Sequence, residues 1–195
     1  MTKHLDLGCG KTPRNPYNRE TIFGIDIREI NNLESKVSIV QANLSIESIP
    51  FPDDYFDSVS AYDFFEHIPR VALDFGSKTS RFPFVELMNE IYRVLKPGGL
   101  LYAITPGFPN EKSFRDPTHV NIITSKTSRY FTVPHLHAAM YGFTGEFEVV
   151  RKIWVHPRAE YHPHKHGIFN LVRNLAERLV GECSHILWEF RAKKS

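Results

Sequence analysis

His4-Leu5-Asp6-Leu7-Gly8-Cys9-Gly10 reads as a short buried strand that breaks into a glycine turn. Gly-x-Gly at the end of an apolar strand lets backbone approach a ligand, because no Cβ stands in the way. Asp6, one residue before the strand ends, can orient that loop or accept from a ligand amine. Sixteen residues beyond Gly10, Phe23-Gly24-Ile25-Asp26 is a second apolar run ending in an acid. An acid at the tip of the next strand is where the two hydroxyls of a nucleoside ribose are held. Taken alone, Gly-x-Gly fits an ordinary strand turn as well. The nicotinamide fingerprint G-x-G-x-x-G is not present, since its third glycine falls at Pro13.

Working outward, Lys11-Thr12-Pro13-Arg14-Asn15-Pro16 carries two prolines, which argues against a full crossover helix. Strands are expected over 22–27 and 37–41, close enough together to imply a helix-poor first half of an α/β sheet. Asn43, after the third strand, can accept through its amide oxygen or simply form a turn. A Pro-containing turn at 49–52 feeds a fourth strand ending at Tyr62. Phe84, Leu87, Met88, Ile91 and Leu95 fall on one helical face. That helix stops at Lys96-Pro97-Gly98-Gly99, and residues 100–105 form a fifth strand. A short helical stretch is expected near 125–131, a sixth strand over 147–155 and a helix over 167–180. A last antiparallel strand over 185–191 closes the sheet.

Several motifs occur in a fixed order. They are Asp6-x-Gly8-x-Gly10, Asp26, Ile49-Pro50-Phe51, Phe56-Asp57-Ser58-Val59, Glu66-His67 and Arg93-Val94-Leu95-Lys96-Pro97-Gly98-Gly99-Leu100-Leu101. This order resembles the small class I S-adenosylmethionine (SAM)-dependent methyltransferases of the type 11 kind, over roughly residues 3 to 106. Thr12 stands where that family usually has a third glycine. The resemblance implies an α/β Rossmann-like fold with a seven-strand, mostly parallel sheet in the order 3-2-1-4-5-7-6. It implies SAM as cofactor, contacted by Asp6, Gly8, Cys9, Gly10, Asp26, Ile27, Asn43, Leu44 and Tyr62. It further implies methyl transfer to oxygen or nitrogen of a small molecule or a glycan sugar.

Methyl transfer needs an acceptor atom held in line and often a base to deprotonate it. Catalytic candidates should follow strands four and five, where ligands of open α/β sheets lie. Asp63, Glu66 and His67 follow strand four. Glu66 and His67 could equally cap or pack the next helix. Asp116 and His119 follow strand five, within a long aromatic-rich insertion, 106–145. That insertion and 69–83 are expected to cover the site, because the first strand begins too early for a preceding helical cover. His119, His67, Asp116 and Asp63 are therefore the catalytic candidates, with His119 foremost.

The chain has 195 residues and 42% hydrophobic content, enough for one domain over 1–195 with a sizeable core. No apolar run approaches a membrane span, and the charged first strand argues against a signal peptide. Two cysteines make no disulfide framework, which points to the cytoplasm. Residues 151–195 hold nine Lys/Arg against four Asp/Glu, and five of the ten histidines. This basic end slightly favours RNA or protein methylation as an alternative. However, no Asn/Asp-Pro-Pro-aromatic tetrad follows strand four, so nucleic acid is not the expected partner. A non-catalytic SAM-binding partner subunit is a further alternative, and a homodimer stays open. His156, His162, His164 and His166 form a Pro-stiffened tract without a completing Cys or acid set, read as surface loop with no metal.

Overall fold

In the computed structural model, which describes residues 1–30, 37–157, 161 and 183–194, β1 (Lys3–Leu7) lies inside a seven-stranded sheet. It pairs in parallel with β2 (Thr21–Asp26) on one side and β4 (Phe56–Tyr62) on the other. β3 (Val37–Gln41) extends the sheet beyond β2. After β4 come the short hairpin strands β5 (Ala72–Asp74) and β6 (Thr79–Arg81), then helix α1 (Pro83–Val94) and β7 (Leu95–Pro106). β8 (Phe147–Val155) and β9 (His185–Ala192) close the order β3-β2-β1-β4-β7-β9-β8, with β9 antiparallel to both its neighbours. With the hairpin set aside, this is the order 3-2-1-4-5-7-6 expected from sequence.

The two faces of the sheet are built differently. Leu5 and Leu7, Val59 and Ala61, Leu101 and Ala103, and Trp188 and Phe190 point to the face that α1 covers. From α1, Phe84, Leu87, Met88 and Ile91 are buried there, each contributing about 1.5–3 kcal/mol by leaving water. Pro83 at the first helical position suits the helix start, where its missing N–H removes nothing. The opposite face carries His4, Asp6, Ser58 and Ser60, all buried, beside Tyr62 and Tyr102. No crossover helix follows β1; residues 11–20 lie across this face as a loop instead. Asn15 and Arg19 exchange two hydrogen bonds within that loop, and Tyr17 donates to Glu189 on β9 at 2.7 Å. Among the described residues no helix covers this face, and the central strands present polar side chains that satisfy each other.

The ordered motifs prove to be contacts. Arg93 Nη1 donates to the Phe51 carbonyl and Arg93 Nη2 to the Ile49 carbonyl, each at 2.8 Å, and Arg93 also pairs with Asp53 and Glu90. Lys96 Nζ sits 2.9 Å from both Asp57 oxygens. Between Leu95 and Leu100 the pairing with β4 jumps from Phe56 to Ser58, so Lys96–Gly99 bulge out of the ladder, with Gly98 at φ 75. The expected stop and turn is therefore a bulge at the head of β7. The stretch expected as helical near 125–131 is a 3-10 turn over Thr127–Tyr130. The expected helix over 167–180 and the histidines at 162, 164 and 166 lie outside the described residues.

Candidate functional site

A cleft of about 570 Å³ opens at the carboxyl ends of β1, β2, β3 and β4. Its walls include Gly8, Asp26, Ile27, Arg28, Asn43, Leu44, Asp63, Phe64, His67 and Thr118. This is where a doubly wound sheet places its ligand, and the volume suits a nucleoside-sized cofactor. Gly8 has φ 63, and a Cβ there would stand 2.5 Å from the Phe64 ring, so only glycine fits this bend. The cradle fits SAM: Asp26 and Asn43 offer acceptors on one wall, Ile27 and Leu44 apolar surface.

Asp26 is already fully engaged. Its Oδ2 accepts from Gly10 N at 2.8 Å, and its Oδ1 from Arg28 N at 3.0 Å and Arg28 Nε at 2.8 Å. Arg28 Nη2 adds a 3.1 Å bond to Oδ2. Burial raises the Asp26 pKa, but the bonds from Arg28 and Gly10 outweigh it and hold the carboxyl below its ordinary range. The Arg28 side chain is 69% exposed and therefore free to move aside. Asn43 Oδ1 accepts from Ser45 N at 3.1 Å, which leaves its second lone pair free.

Four of the residues implied as cofactor contacts stand behind the cleft and do not border it. Asp6 is buried, accepting from Arg14 N at 2.7 Å and Ser60 Oγ at 2.5 Å, so it orients the glycine loop from beneath. Burial pushes its carboxyl up to about 7. Cys9 turns its thiol inward, into the space a side chain at Gly24 would fill, and burial raises that thiol to about 12. Gly10 works through its N–H on Asp26. Tyr62 lies on the polar face, its ring 4.6 Å from the Arg14 guanidinium carbon.

Asp63, His67 and Thr118 form a further part of the cleft wall. Asp63 holds φ 48, a left-handed conformation that costs a non-glycine residue energy. Its carboxylate accepts from the Tyr161 hydroxyl and sits 3.2 Å from His185 Nε2. Burial raises its pKa, yet His185 and Tyr161 prevail and hold it low. Asp63 is therefore a pinned anion, unsuited to accept a proton near neutrality. Asp116 is likewise engaged, accepting from Thr118 N at 2.9 Å and Thr118 Oγ1 at 2.7 Å, and these bonds lower its pKa.

Because the Thr118 proton goes to Asp116, the 3.0 Å contact between Thr118 Oγ1 and His67 Nδ1 must be donated by His67. Nδ1 then carries the proton of the neutral ring, and Nε2 carries a lone pair. The His119 ring meets His67 edge-on, with centroids 4.8 Å apart, and does not itself line the cleft. Behind both lies Glu66, 1% exposed, with Oε2 accepting from Thr105 at 2.8 Å and Oε1 without a hydrogen-bond partner among the described residues. Burial pushes the Glu66 carboxyl up to about 8.

The insertion after β7 is tied down here: Val120 N and Asn121 N both donate to the Glu66 carbonyl at 2.9 Å. Asn121 Nδ2 donates to the Phe65 carbonyl at 3.0 Å. Of its aromatic residues, Phe131 and Phe143 are core, packed with Phe84 and Phe147, while Phe108, Phe114, Tyr130 and Tyr141 are exposed. Sequence reasoning missed Thr118 and Arg28. Thr118 stands between Asp116 and His119 in Asp116-Pro117-Thr118-His119, the one signal that could have found it.

The sequence matches the family model described as Methyltransferase domain over residues 5–103. No curated protein matches it. Solved structures give the same fold. The [4+2]-cyclase SpnF aligns over 100% of this chain and 76% of its own, at 19% identity and TM-score 0.59. A SAM-dependent methyltransferase from Archaeoglobus fulgidus aligns over 97% and 86%, at 18% identity and TM-score 0.55. One from Mesorhizobium loti aligns over 97% and 90%, at 14% identity and TM-score 0.56. With the family motifs assembled around one cleft at the strand ends, the chain belongs to the methyltransferase-domain family and is a class I SAM-dependent methyltransferase.

Proposed function

We propose that this methyltransferase modifies an oxygen or nitrogen of a small molecule or a glycan sugar, and that residues 1–195 act as one domain. The observation that carries the reading is the His67–Thr118 pair on the wall of the cleft that Asp26, Asn43 and Leu44 also line. When bound, SAM supplies an activated methyl carbon. Asp26 takes the ribose hydroxyls, with Arg28 displaced, and Asn43 Oδ1 receives the adenine amino group. Ile27 and Leu44 cover the base. Gly8 leaves backbone room for the amino-acid end.

At the other end, Nε2 of His67 is the basic atom. It accepts either a proton from the acceptor or a cation, while Thr118 and Asp116 fix its ring. Asp63, held anionic by Tyr161 and His185, orients donors without taking a proton. The polar pair His67 and Thr118 suits a hydroxyl- or amine-bearing acceptor better than an apolar one.

The test is methyl transfer from labelled SAM to a panel of sugars, hydroxy acids, amines and RNA. Product on hydroxyl or amino small molecules, lost in His67→Ala, supports the reading. Product on RNA, with affinity that falls steeply as salt rises, overturns it.

A further inference from the structure

Glu66, His67 and His119 each bring one ligand atom within 4.8 Å of the other two. His119 Nε2 stands 4.0 Å from Glu66 Oε1 and 3.9 Å from Asp116 Oδ2. Those gaps are too long for hydrogen bonds. They approach the spacing of atoms that share an ion, since ligand bonds of about 2.0–2.2 Å put neighbouring ligand atoms about 3–4 Å apart. Glu66 Oε1 is buried and has no hydrogen-bond partner among the described residues, and a buried orphan carboxyl oxygen needs an explanation. His67 has its Nδ1 proton committed to Thr118, the tautomer in which Nε2 ligates.

The cluster is also fixed in place. Glu66 and His67 share the 3-10 turn Phe65–His67, and two backbone N–H groups following His119 clamp that turn's Glu66 carbonyl. Thr105 on β7 fixes the second Glu66 oxygen.

We propose that Glu66, His67 and His119 form a site for a divalent transition-metal ion at the acceptor end of the cleft. No metal is expected from the sequence. Two imidazoles and one carboxylate suit zinc, manganese or iron, whereas magnesium and calcium favour all-oxygen sets. Asp116, 3.9 Å from His119 Nε2, is placed to join or to orient a bound water. Three protein ligands leave a position open, and since His67 and Thr118 line the cleft, that position takes an oxygen of the acceptor. This deepens the proposed function and rests on it only for the role of the ion; the ion site stands on its own geometry.

Untagged protein is stripped with chelator, dialysed, and titrated with zinc, manganese or magnesium chloride by calorimetry, with metal content measured by mass spectrometry. One zinc or manganese ion per chain is expected, and no comparable magnesium binding. His119→Ala and Glu66→Gln should each weaken binding by at least ~100-fold, more than losing an outer partner does. Cobalt(II) should give visible bands in the wild type that His119→Ala abolishes. Replacing His162, His164 and His166 together should leave the ion in place. S-adenosylhomocysteine affinity, measured on the same samples, should survive His119→Ala.

Wild-type protein that binds S-adenosylhomocysteine but no ion overturns the metal proposal alone, as does an ion retained in His119→Ala. Absence of S-adenosylhomocysteine binding overturns the cofactor cleft and leaves the ion titration as its own test. Should Glu66→Gln fail to fold because its site is buried, His67→Gln, on a half-buried ring, supplies the second variant.

Discussion

Ser60 Oγ donates to Asp6 Oδ1 at 2.5 Å and lies 2.9 Å from His4 Nε2. A chain of bonds results across the polar face. Arg19 Nε reaches Ser58 at 3.3 Å, Ser58 contacts His4 Nδ1 at 2.8 Å, and Ser60 links His4 to Asp6. With Asp6 ionised, the Ser60 proton is committed to it. His4 then donates from Nε2 and accepts at Nδ1. Burial lowers the His4 pKa from 6.5 to about 3 and raises that of Asp6 from 3.8 to about 7. The two groups therefore pull stability in opposite directions.

Asp6 contributes stability that is full below pH 3.8 and lost as pH rises through about 7. His4 contributes stability that is full above 6.5 and lost as pH falls through about 3. Between 3.8 and 6.5 the slopes cancel, so Asp6→Asn should leave the His4 slope exposed. Relative to wild type, the stability of Asp6→Asn should rise with pH across that window. Urea unfolding at several pH values reads the difference, and parallel profiles for the two proteins would refute it.

Arg93 should matter more for stability than its partly exposed position suggests. It is 29% exposed, yet it donates to two carbonyls of the Ile49–Phe51 turn as well as to two acids. Arg93→Ala removes these charge-assisted bonds and leaves Ile49 O with only its bond from Phe51 N at 2.7 Å, costing about 2–3 kcal/mol. Arg93→Lys should recover little of this, because an ammonium cannot span the forked set. A midpoint shift in denaturant unfolding with unchanged slope is the expected reading.

Arg28 and the cofactor ribose compete for Asp26. An ion pair with a largely exposed arginine is weak, because water screens it. Hydrogen bonds from ribose hydroxyls to a charged acceptor are worth about 1.5–3 kcal/mol. Exchange is therefore favourable. Arg28→Ala should bind S-adenosylhomocysteine as tightly as wild type or a few-fold more tightly, whereas Asp26→Ala should bind ~10–100-fold more weakly. Calorimetry separates the outcomes, and equal loss in both variants would make Arg28 a cofactor contact.

What sequence made legible follows from range. α1 was readable because apolar periodicity is a local signal, and the strand order only through the family that the ordered motifs resemble; Arg93 with Ile49–Phe51 shows why those motifs travel together. The His67 tautomer was not readable, since it depends on a hydroxyl 51 residues away whose own proton goes to Asp116. The pairing of Arg28 with Asp26 was hidden for the opposite reason: two residues apart, it resembles any surface pair. Phe131 and Phe143 belong to the aromatic-rich insertion 106–145, which was expected over the site because loops at the strands' carboxyl ends emerge there. They are core because the insertion packs back on α1, with Phe131 edge-on to Phe84 at 5.3 Å.

Thr118 supplies the sharpest check on the acceptor end. It touches His67 Nδ1 and hands its own proton to Asp116, so it sets which nitrogen of His67 bears the lone pair. Thr118→Val keeps the shape and removes the hydroxyl. The ring is then free to turn, and Nδ1 loses its partner. Losing such an outer partner typically costs ~10–100-fold in activity or metal affinity. kcat should carry most of the loss, because the nucleoside side of the cleft is unchanged, and S-adenosylhomocysteine affinity should hold. Thr118→Ser restores the hydroxyl and should restore most of the rate. A role in loop packing alone predicts something different. Thr118→Val would then lower the melting temperature without altering the pH profile of kcat, and Thr118→Ser, lacking the methyl, would fail to rescue. The pair of variants, measured for rate, pH profile and melting, therefore decides whether Thr118 positions His67 or merely fills the loop.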